Sequence, residues 1–358
     1  MTEPSFRPTL RDVARSVNLH ESTVSRILNG RAAAGRIRPE TEQRVKLAAE
    51  RLGYRGNTVA RALRTGRTLM IGMVVPDIAN LYQARITRAA QDVLAGDGYS
   101  LLLSSTGGDP ANARRQIRAM MSSRTEGILY GDARLHDDVL EEILASGTPV
   151  VLVNRVAEGV AVSAVHPDNA AGTELAVRHL HELGHRVIVQ VSGPQDTSSG
   201  VARRTAFHDV VDTLGLDGDS EAVDRHTEAE GRRVAAALLD RVPDVTGVVA
   251  ANDRLALGAL DAIAERGLRC PEDVSVVGFN DMLYAERLSP PLTTVRVPQR
   301  ELGRRVAELL LETIRDPGRA PSTQVVGCKL IVRGSTMPAR APARRDTAAP
   351  PPSGRAAP

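Results

Sequence analysis

The side chains best placed for chemistry near the N-terminus belong to the segment HESTVSRILNG, residues 20–30. Val24, Ile27 and Leu28 recur at helical spacing and predict a buried face. The outward positions near the start of this helix are polar: Glu21, Ser22, Thr23 and Arg26. Short hydrogen-bonding groups beside a guanidinium suit the reading of base edges in a DNA major groove.

Two further helices would position this segment. Thr9 stands three residues before Asp12, a pattern typical of a helix start, and Asn18 interrupts the apolar face that follows. Two short helices joined by about three residues form a helix-turn-helix. A third helix is predicted to start near Pro39 and to brace the pair through Val45, Ala48 and Leu52.

Charge is unevenly distributed along the 358 residues. Residues 1–67 contain 14 Lys and Arg against 6 Asp and Glu, although the whole chain is only +3. A basic head on an acidic body fits a chain whose head alone approaches phosphates. A basic surface without a partner is the alternative that charge alone leaves open.

The rest of the chain alternates apolar runs with helical patterns. The runs are 69–75, 100–105, 127–131, 149–154, 187–193, 247–252 and 274–280. Continuous apolar strands separated by helices predict a parallel sheet covered on both faces. Because about 270 residues exceed one ordinary sheet, we expect two doubly wound subdomains with a cleft between them.

The run T-L-R-D-V-A-R-S-V with S-T-V-S-R-I-L-N-G resembles the lactose-repressor/galactose-repressor family. The resemblance continues over nearly the whole chain, at 51–54, 57–63, 251–260, 271–281, 289–295 and 332–336, whereas the turn at 30–36 is longer than usual. It implies an all-α helix-turn-helix head and an α/β core of two doubly wound parallel-sheet subdomains, periplasmic-binding-protein-like. The expected function is that of a transcriptional repressor that binds a palindromic double-stranded DNA operator as a homodimer, with a tetramer also open.

The expected domains follow from these patterns and the resemblance. Residues 8–56 form the DNA-binding domain, 57–67 the hinge helix and linker, 68–336 the effector-binding and dimerisation domain, and 337–358 a disordered Pro/Ala/Arg-rich tail.

The hinge is too short to be stable alone, since isolated helices of fewer than ~12 residues are marginal in water. The resemblance supplies a partner, the hinge of a second subunit, with both in the minor groove. Leu63 would wedge between base steps and Arg61 and Arg64 would contact phosphates. The alternative is that Leu63 packs on the core. The predicted hinge contacts are Asn57, Ala60, Arg61, Leu63 and Arg64.

Candidate effector-binding residues follow the predicted strands, because ligands of such sheets lie beyond the strand carboxyl ends. They are Asn154, Ser199, Asn252, Asp253 and Asn280, and the resemblance adds Tyr82 and Arg203. This set suits the hydroxyls of a small polar effector such as a saccharide or nucleoside. Alternatively, Asn252 and Asp253 cap the next helix and Arg203 forms an ordinary salt bridge; Asp168 is read as a cap.

Two of these positions depart from the resembled family, which commonly has Asp where this chain has Asn154 and Asn280. The chain also has no Trp and only three Phe, so a sugar-stacking aromatic wall is not expected. A regulator that acts constitutively or through a protein partner, with a non-functional cleft, therefore remains an alternative.

Other classes of protein find little support. The chain lacks GxGxxG after its first strand, GxxxxGK[ST], GxSxG and metal-binding His spacing, so we expect no enzyme, cofactor or metal. No apolar run reaches the ~18 residues of a membrane span. The start MTEPSFRPTLRDVARS has no export signal, and two cysteines give no disulfide framework, so we expect a cytoplasmic protein and not a periplasmic binding protein.

Overall fold

The computed structural model describes residues 8–28, 37–54 and 66–339. By its contacts the chain divides into two compact units, Met1–Leu69 and Met70–Pro358.

Three helices make the first unit: α1 Leu10–Ser16, α2 Glu21–Leu28 and α3 Pro39–Leu52. Thr9 and Asp12 form a reciprocal capping box at the start of α1, as the sequence predicts. The core consists of Val13, Ala14, Val17, Val24, Ile27, Val45 and Ala49.

The prediction for the buried face of α3 was partly wrong. Val45 and Ala49, four residues apart, share the buried face, whereas Leu52 in the last turn is 39% exposed. Ala48 is partly buried beside them.

The second unit contains two six-stranded sheets. The first has the order β11-β5-β4-β3-β1-β2, and its strands are β1 Met70–Val75, β2 Ser100–Ser105, β3 Gly127–Tyr130, β4 Val150–Val153, β5 Ser163–Pro167 and β11 Thr323–Val326. Its helices are α4 Leu81–Gly96, α5 Pro110–Ser122, α6 Asp138–Ala145 and α11 Gln299–Arg315.

The second sheet has the order β12-β10-β9-β8-β6-β7. Its strands are β6 Val187–Ser192, β7 Asp217–Ala222, β8 Gly247–Ala250, β9 Ser275–Asn280, β10 Thr293–Arg296 and β12 Lys329–Ile331. Its helices are α7 Asn169–Glu182, α8 Ser198–Leu214, α9 Glu228–Arg241 and α10 Asp253–Glu265, and a 3₁₀ turn covers Ala285–Arg287.

All seven predicted apolar runs form strands. The strands β3, β4 and β8 are buried along their whole length, which explains their unbroken apolar sequences. The sequence did not reveal the edge strand β7, DGDSEA, because it has no apolar run. One pairing departs from the expected parallel arrangement, since β12 runs antiparallel to β10.

The chain passes between the two sheets three times, from β5 to α7, from β10 to α11 and from β11 to β12. The subdomains also meet across the opening between them. The backbone N–H of Leu135 donates to the carbonyl of Asp196 at 2.9 Å, and the N–H of Val156 donates to Oγ of Ser198 at 2.9 Å. The polar strand ends of both sheets therefore face a common cleft.

Within the described ranges, no helix combines the length and apolar character that crossing a membrane requires.

Candidate DNA-reading helix and effector cleft

Ser22 and Arg26 share an exposed face of α2, because residues four apart lie on one side of a helix. His20 fixes the start of this face. Its Nδ1 accepts a hydrogen bond from the backbone N–H of Ser22 at 3.2 Å and lies 2.7 Å from Oγ of Ser22. Sequence reasoning did not single out His20, although it immediately precedes the helix.

Glu21 and Thr23 differ from these two residues in being partly buried. Nε of Arg11 on α1 donates to Glu21 at 2.8 Å, so this carboxylate is already paired across the helix-turn-helix. From α3, Nη2 of Arg44 donates to the carbonyl of Val17 at 3.1 Å and braces the turn before α2. The helix is thus held while Ser22 and Arg26 remain open to a ligand.

The predicted hinge contacts lie outside the described residues. This applies to Asn57, Ala60, Arg61, Leu63 and Arg64, and also to the whole of the long turn at 30–36.

In the core unit, the structure brings Tyr82 and Asn154 together. The Tyr82 hydroxyl donates to Oδ1 of Asn154 at 2.5 Å, and both side chains are buried. Asn80 caps α4 and places Tyr82 in its first turn. Asn154 has a φ of 70°, a left-handed conformation that asparagine tolerates better than most residues. Burial raises the pKa of Tyr82, so its hydroxyl remains a donor.

Arg203 lies on α8 with only 5% of its surface exposed. Its Nε donates to Oδ1 of Asn169 at 2.9 Å, its Nη1 donates to the carbonyl of Ala251, and its Cζ lies 3.7 Å from the centroid of the Phe279 ring. Burial lowers the pKa of Arg203 to about 10, which leaves it charged at neutral pH. None of the ion pairs that the described residues make involves Arg203, so the salt-bridge alternative finds no partner there.

A second guanidinium follows directly after Asn154. Nη1 of Arg155 lies 3.4 Å from Oδ1 of Asp132, and Thr106 donates to the other oxygen of Asp132 at 2.5 Å. Nε of Arg155 is buried with no hydrogen-bond partner among the described residues. Burial lowers the pKa of Arg155, which the charge of Asp132 partly offsets.

His226 follows β7 at the same end of the second sheet. Its burial, followed by the charges of Arg155 and Arg203, lowers its pKa to about 3, so the imidazole is neutral at physiological pH. Gly193 permits its position, since a Cβ there would lie 2.8 Å from Cε1 of His226. Nδ1 of His226 is buried without a hydrogen-bond partner in the described part of the chain.

The remaining predicted residues divide by their contacts. Oδ1 of Asn252 accepts from the N–H of Leu255 at 2.8 Å and caps α10, the alternative that its sequence position left open. Asp253 accepts from the N–H of Met282 at 2.6 Å and from the Thr294 hydroxyl at 2.5 Å, so both oxygens have partners inside the second subdomain.

Asn280 and Ser199 are both buried at strand or helix ends facing the cleft. Oδ1 of Asn280 has no hydrogen-bond partner among the described residues, whereas its backbone carbonyl accepts from Nε2 of Gln299 at 2.6 Å. A buried amide oxygen without a donor is costly, so this atom is a natural partner for a ligand hydroxyl. As expected, Asp168 caps α7 through the N–H of Ala171.

Sequence reasoning missed Asn169, Arg155 and His226. Arg155 carried a usable signal, because it directly follows a predicted strand. His226 did not, since β7 was not recognised and its carboxyl end could not be placed. Asn169 lies next to the cap Asp168 and meets Arg203 only through tertiary structure.

Two family models match the chain. The model for bacterial regulatory proteins of the lacI family matches residues 9–57, and a periplasmic binding protein-like domain matches residues 177–336. The HTH-type transcriptional regulator CelR of Thermobifida fusca is 36% identical over 341 residues, which cover 92% of this chain and 98% of CelR.

The chain belongs to the lacI family of bacterial regulatory proteins.

Solved structures agree with this assignment for the lacI-family chain. A crystal structure of the Lac repressor dimer bound to operator and the anti-inducer ONPF superposes with a TM-score of 0.82 at 26% identity, covering 93% of this chain and all of that one. A CelR–cellobiose complex has a TM-score of 0.71 at 32% identity, covering 92% of this chain and all of that one. The predicted family and fold are confirmed, and so is the function of a DNA-binding transcriptional regulator.

Proposed function

We propose that this regulator reads a palindromic operator through Ser22 and Arg26 of α2 in two symmetry-related heads, supported by Glu21 and Thr23. The exposed face shared by Ser22 and Arg26 supports this role, because a serine and an arginine can both bond base edges. Asn57, Ala60, Arg61, Leu63 and Arg64 are proposed to bind the minor groove between the heads.

A small polar effector is proposed to bind in the cleft and to change operator affinity. The observation that carries this proposal is the set of buried polar atoms without partners that face the cleft, on Asn280, Arg155 and His226. Tyr82, Asn154, Ser199, Arg203, Asn252 and Asp253 complete the proposed site. The Lac repressor and CelR structures hold ONPF and cellobiose respectively, which is consistent with a saccharide-like ligand here.

We further propose that the chain is not an enzyme and acts in the cytoplasm. The comparisons support the first part, since the relatives are transcriptional regulators. The DNA-binding function supports the proposed cytoplasmic location.

The proposal is tested by selecting bound fragments from genomic DNA and then measuring operator affinity of the full-length protein by fluorescence anisotropy with candidate effectors. We expect an effector to change operator affinity of the wild type and Arg203→Ala to remove that response while operator binding without effector persists. A normal response in Arg203→Ala would contradict the assigned cleft. Silence of the wild type across saccharides and nucleosides, neutral and charged, would favour a constitutive regulator.

A further inference from the structure

Two buried guanidinium groups of the cleft differ in their counter-ions. Arg203 and Arg155 are 5% and 7% exposed, and both are guanidinium groups. Asp132 is the carboxylate that pairs with Arg155. The described contacts of the Arg203 guanidinium are with the neutral oxygens of Asn169 and Ala251 and with the face of the Phe279 ring. Because burying an ion without a counter-ion is costly, we expect an anion to bind beside Arg203.

Asp253 does not meet this need. Its carboxylate acts on Arg203 only through space, and both of its oxygens are engaged by Met282 and Thr294. Its burial also raises its pKa to about 7, so much of it is neutral near physiological pH.

The amides and the imidazole among the residues proposed for the cleft are neutral. Asn154, Asn252 and Asn280 are amides, and His226 is kept uncharged by burial and by the two arginines. Among the three donor nitrogens of the Arg203 guanidinium, Nη2 donates none of the hydrogen bonds found between described residues. A guanidinium edge with a free donor suits an oxyanion.

We propose that the effector carries an anionic oxygen group, a carboxylate or a phosphate, which pairs with Arg203 and Arg155 in the cleft. This inference rests on the proposed function of the cleft and narrows its ligand from polar molecules in general to acids. A hydroxylated acid satisfies the site best: its anion neutralises Arg203, which contacts no carboxylate among the described residues, while its hydroxyls bond Asn280 and the other amides.

Asn154→Asp tests the charge argument without knowledge of the effector. Tyr82 already donates to Oδ1 of Asn154, and the charges of Arg203 and Arg155 both act on that hydroxyl, so a carboxylate here would lie within their influence. Aspartate also tolerates the left-handed backbone of this position. We expect the full-length Asn154→Asp protein to have a higher midpoint of thermal unfolding than the wild type.

Gln83→Glu is the matched control. Gln83 is buried next to Tyr82 on α4, and its Oε1 has no hydrogen-bond partner in the described ranges. A carboxylate placed there adds the same charge without a guanidinium bond and should lower the midpoint.

The same melts are repeated with glucose, glucuronate and glucose 6-phosphate at constant ionic strength. We expect at least one acid to stabilise the wild type more than glucose, equivalent to about tenfold tighter binding or more, and Asn154→Asp to lose that difference. The two acids distinguish a carboxylate from a phosphate. A higher unfolding midpoint for Asn154→Asp, with no response to any of the three sugars, would support the charge argument. It would also exclude these three sugars as the effector.

Two results would overturn the inference: a lower midpoint for Asn154→Asp than for the wild type, or stabilisation by glucose equal to that by both acids. Because these measurements contain no DNA, their outcome is separate from the test of effector-controlled operator binding.

Discussion

In the head, Ser22 and Arg26 stand on an exposed helix face, whereas in the cleft Arg203 and Arg155 are almost completely buried. The side chains of the head that are proposed to read DNA can therefore change with little effect on folding. The side chains of the cleft cannot change as freely, because burying the charged groups proposed to bind effector already costs free energy in the folded state. Specificity for DNA and specificity for effector are thus under different physical constraints in one chain.

The largest effect is expected from the buried side of the recognition helix. Ile27 is 1% exposed in the small core of the head, and Ile27→Ala should cost about 2–5 kcal/mol of the stability of that unit. Since a domain of this size is marginal, we expect the head to unfold and operator binding to be lost. Calorimetry should show that the transition of the larger unit is unchanged. Ile27→Val, which costs about 0.5–1.5 kcal/mol, is the control and should still bind. Full operator affinity in Ile27→Ala would contradict the role of this core.

The exposed side of the same helix should behave differently. Arg26→Ala is expected to weaken specific operator binding by about 1–3 kcal/mol, roughly 5- to 150-fold, with an unchanged unfolding transition. Arg51→Ala, an exposed arginine in the last turn of α3, is the control for general loss of charge. Anisotropy with operator and with unrelated duplex measures both. Equal losses on the two duplexes would remove Arg26 from base reading.

A smaller effect comes from the cleft and depends on pH. The pKa of His226 is lowered from 6.5 in the unfolded chain to about 3, chiefly by burial, so the unfolded state binds more protons between these values. Wild-type stability should therefore fall as pH decreases from about 6.5.

His226→Gln removes this contribution and leaves the opposing one of Asp253, whose raised pKa favours folding at lower pH. We expect the wild type to lose about 2 kcal/mol more than His226→Gln between pH 7 and 5, measured by urea unfolding. Parallel pH profiles would show that His226 titrates normally.

The contrast between head and cleft also explains what could be predicted from sequence. The capping pair Thr9–Asp12 and the apolar spacing of Val24 and Ile27 are local signals, and the structure has these elements where the spacing places them. The predicted burial of Leu52 was wrong, because burial in the last turn of α3 depends on which part of that helix the other helices cover.

Cleft contacts depend on residues distant in sequence. The prediction that Tyr82 and Asn154 belong to one site agrees with their hydrogen bond, because both follow strands of one parallel sheet. The bond between Arg203 and Asn169 and the position of His226 behind a polar edge strand had no sequence signal. Sequence identifies strand ends, but it does not reveal which neighbouring charges remain uncompensated.

The central claim is that the basic head recognises a particular duplex sequence. It is tested most directly by measuring the affinity of the full-length protein for its selected genomic fragment and for unrelated duplex at moderate salt. We predict a ratio of about 10³ or more, with the usual steep decrease of both affinities as salt rises. Equal affinity for the two duplexes, with and without candidate effectors, would contradict the account.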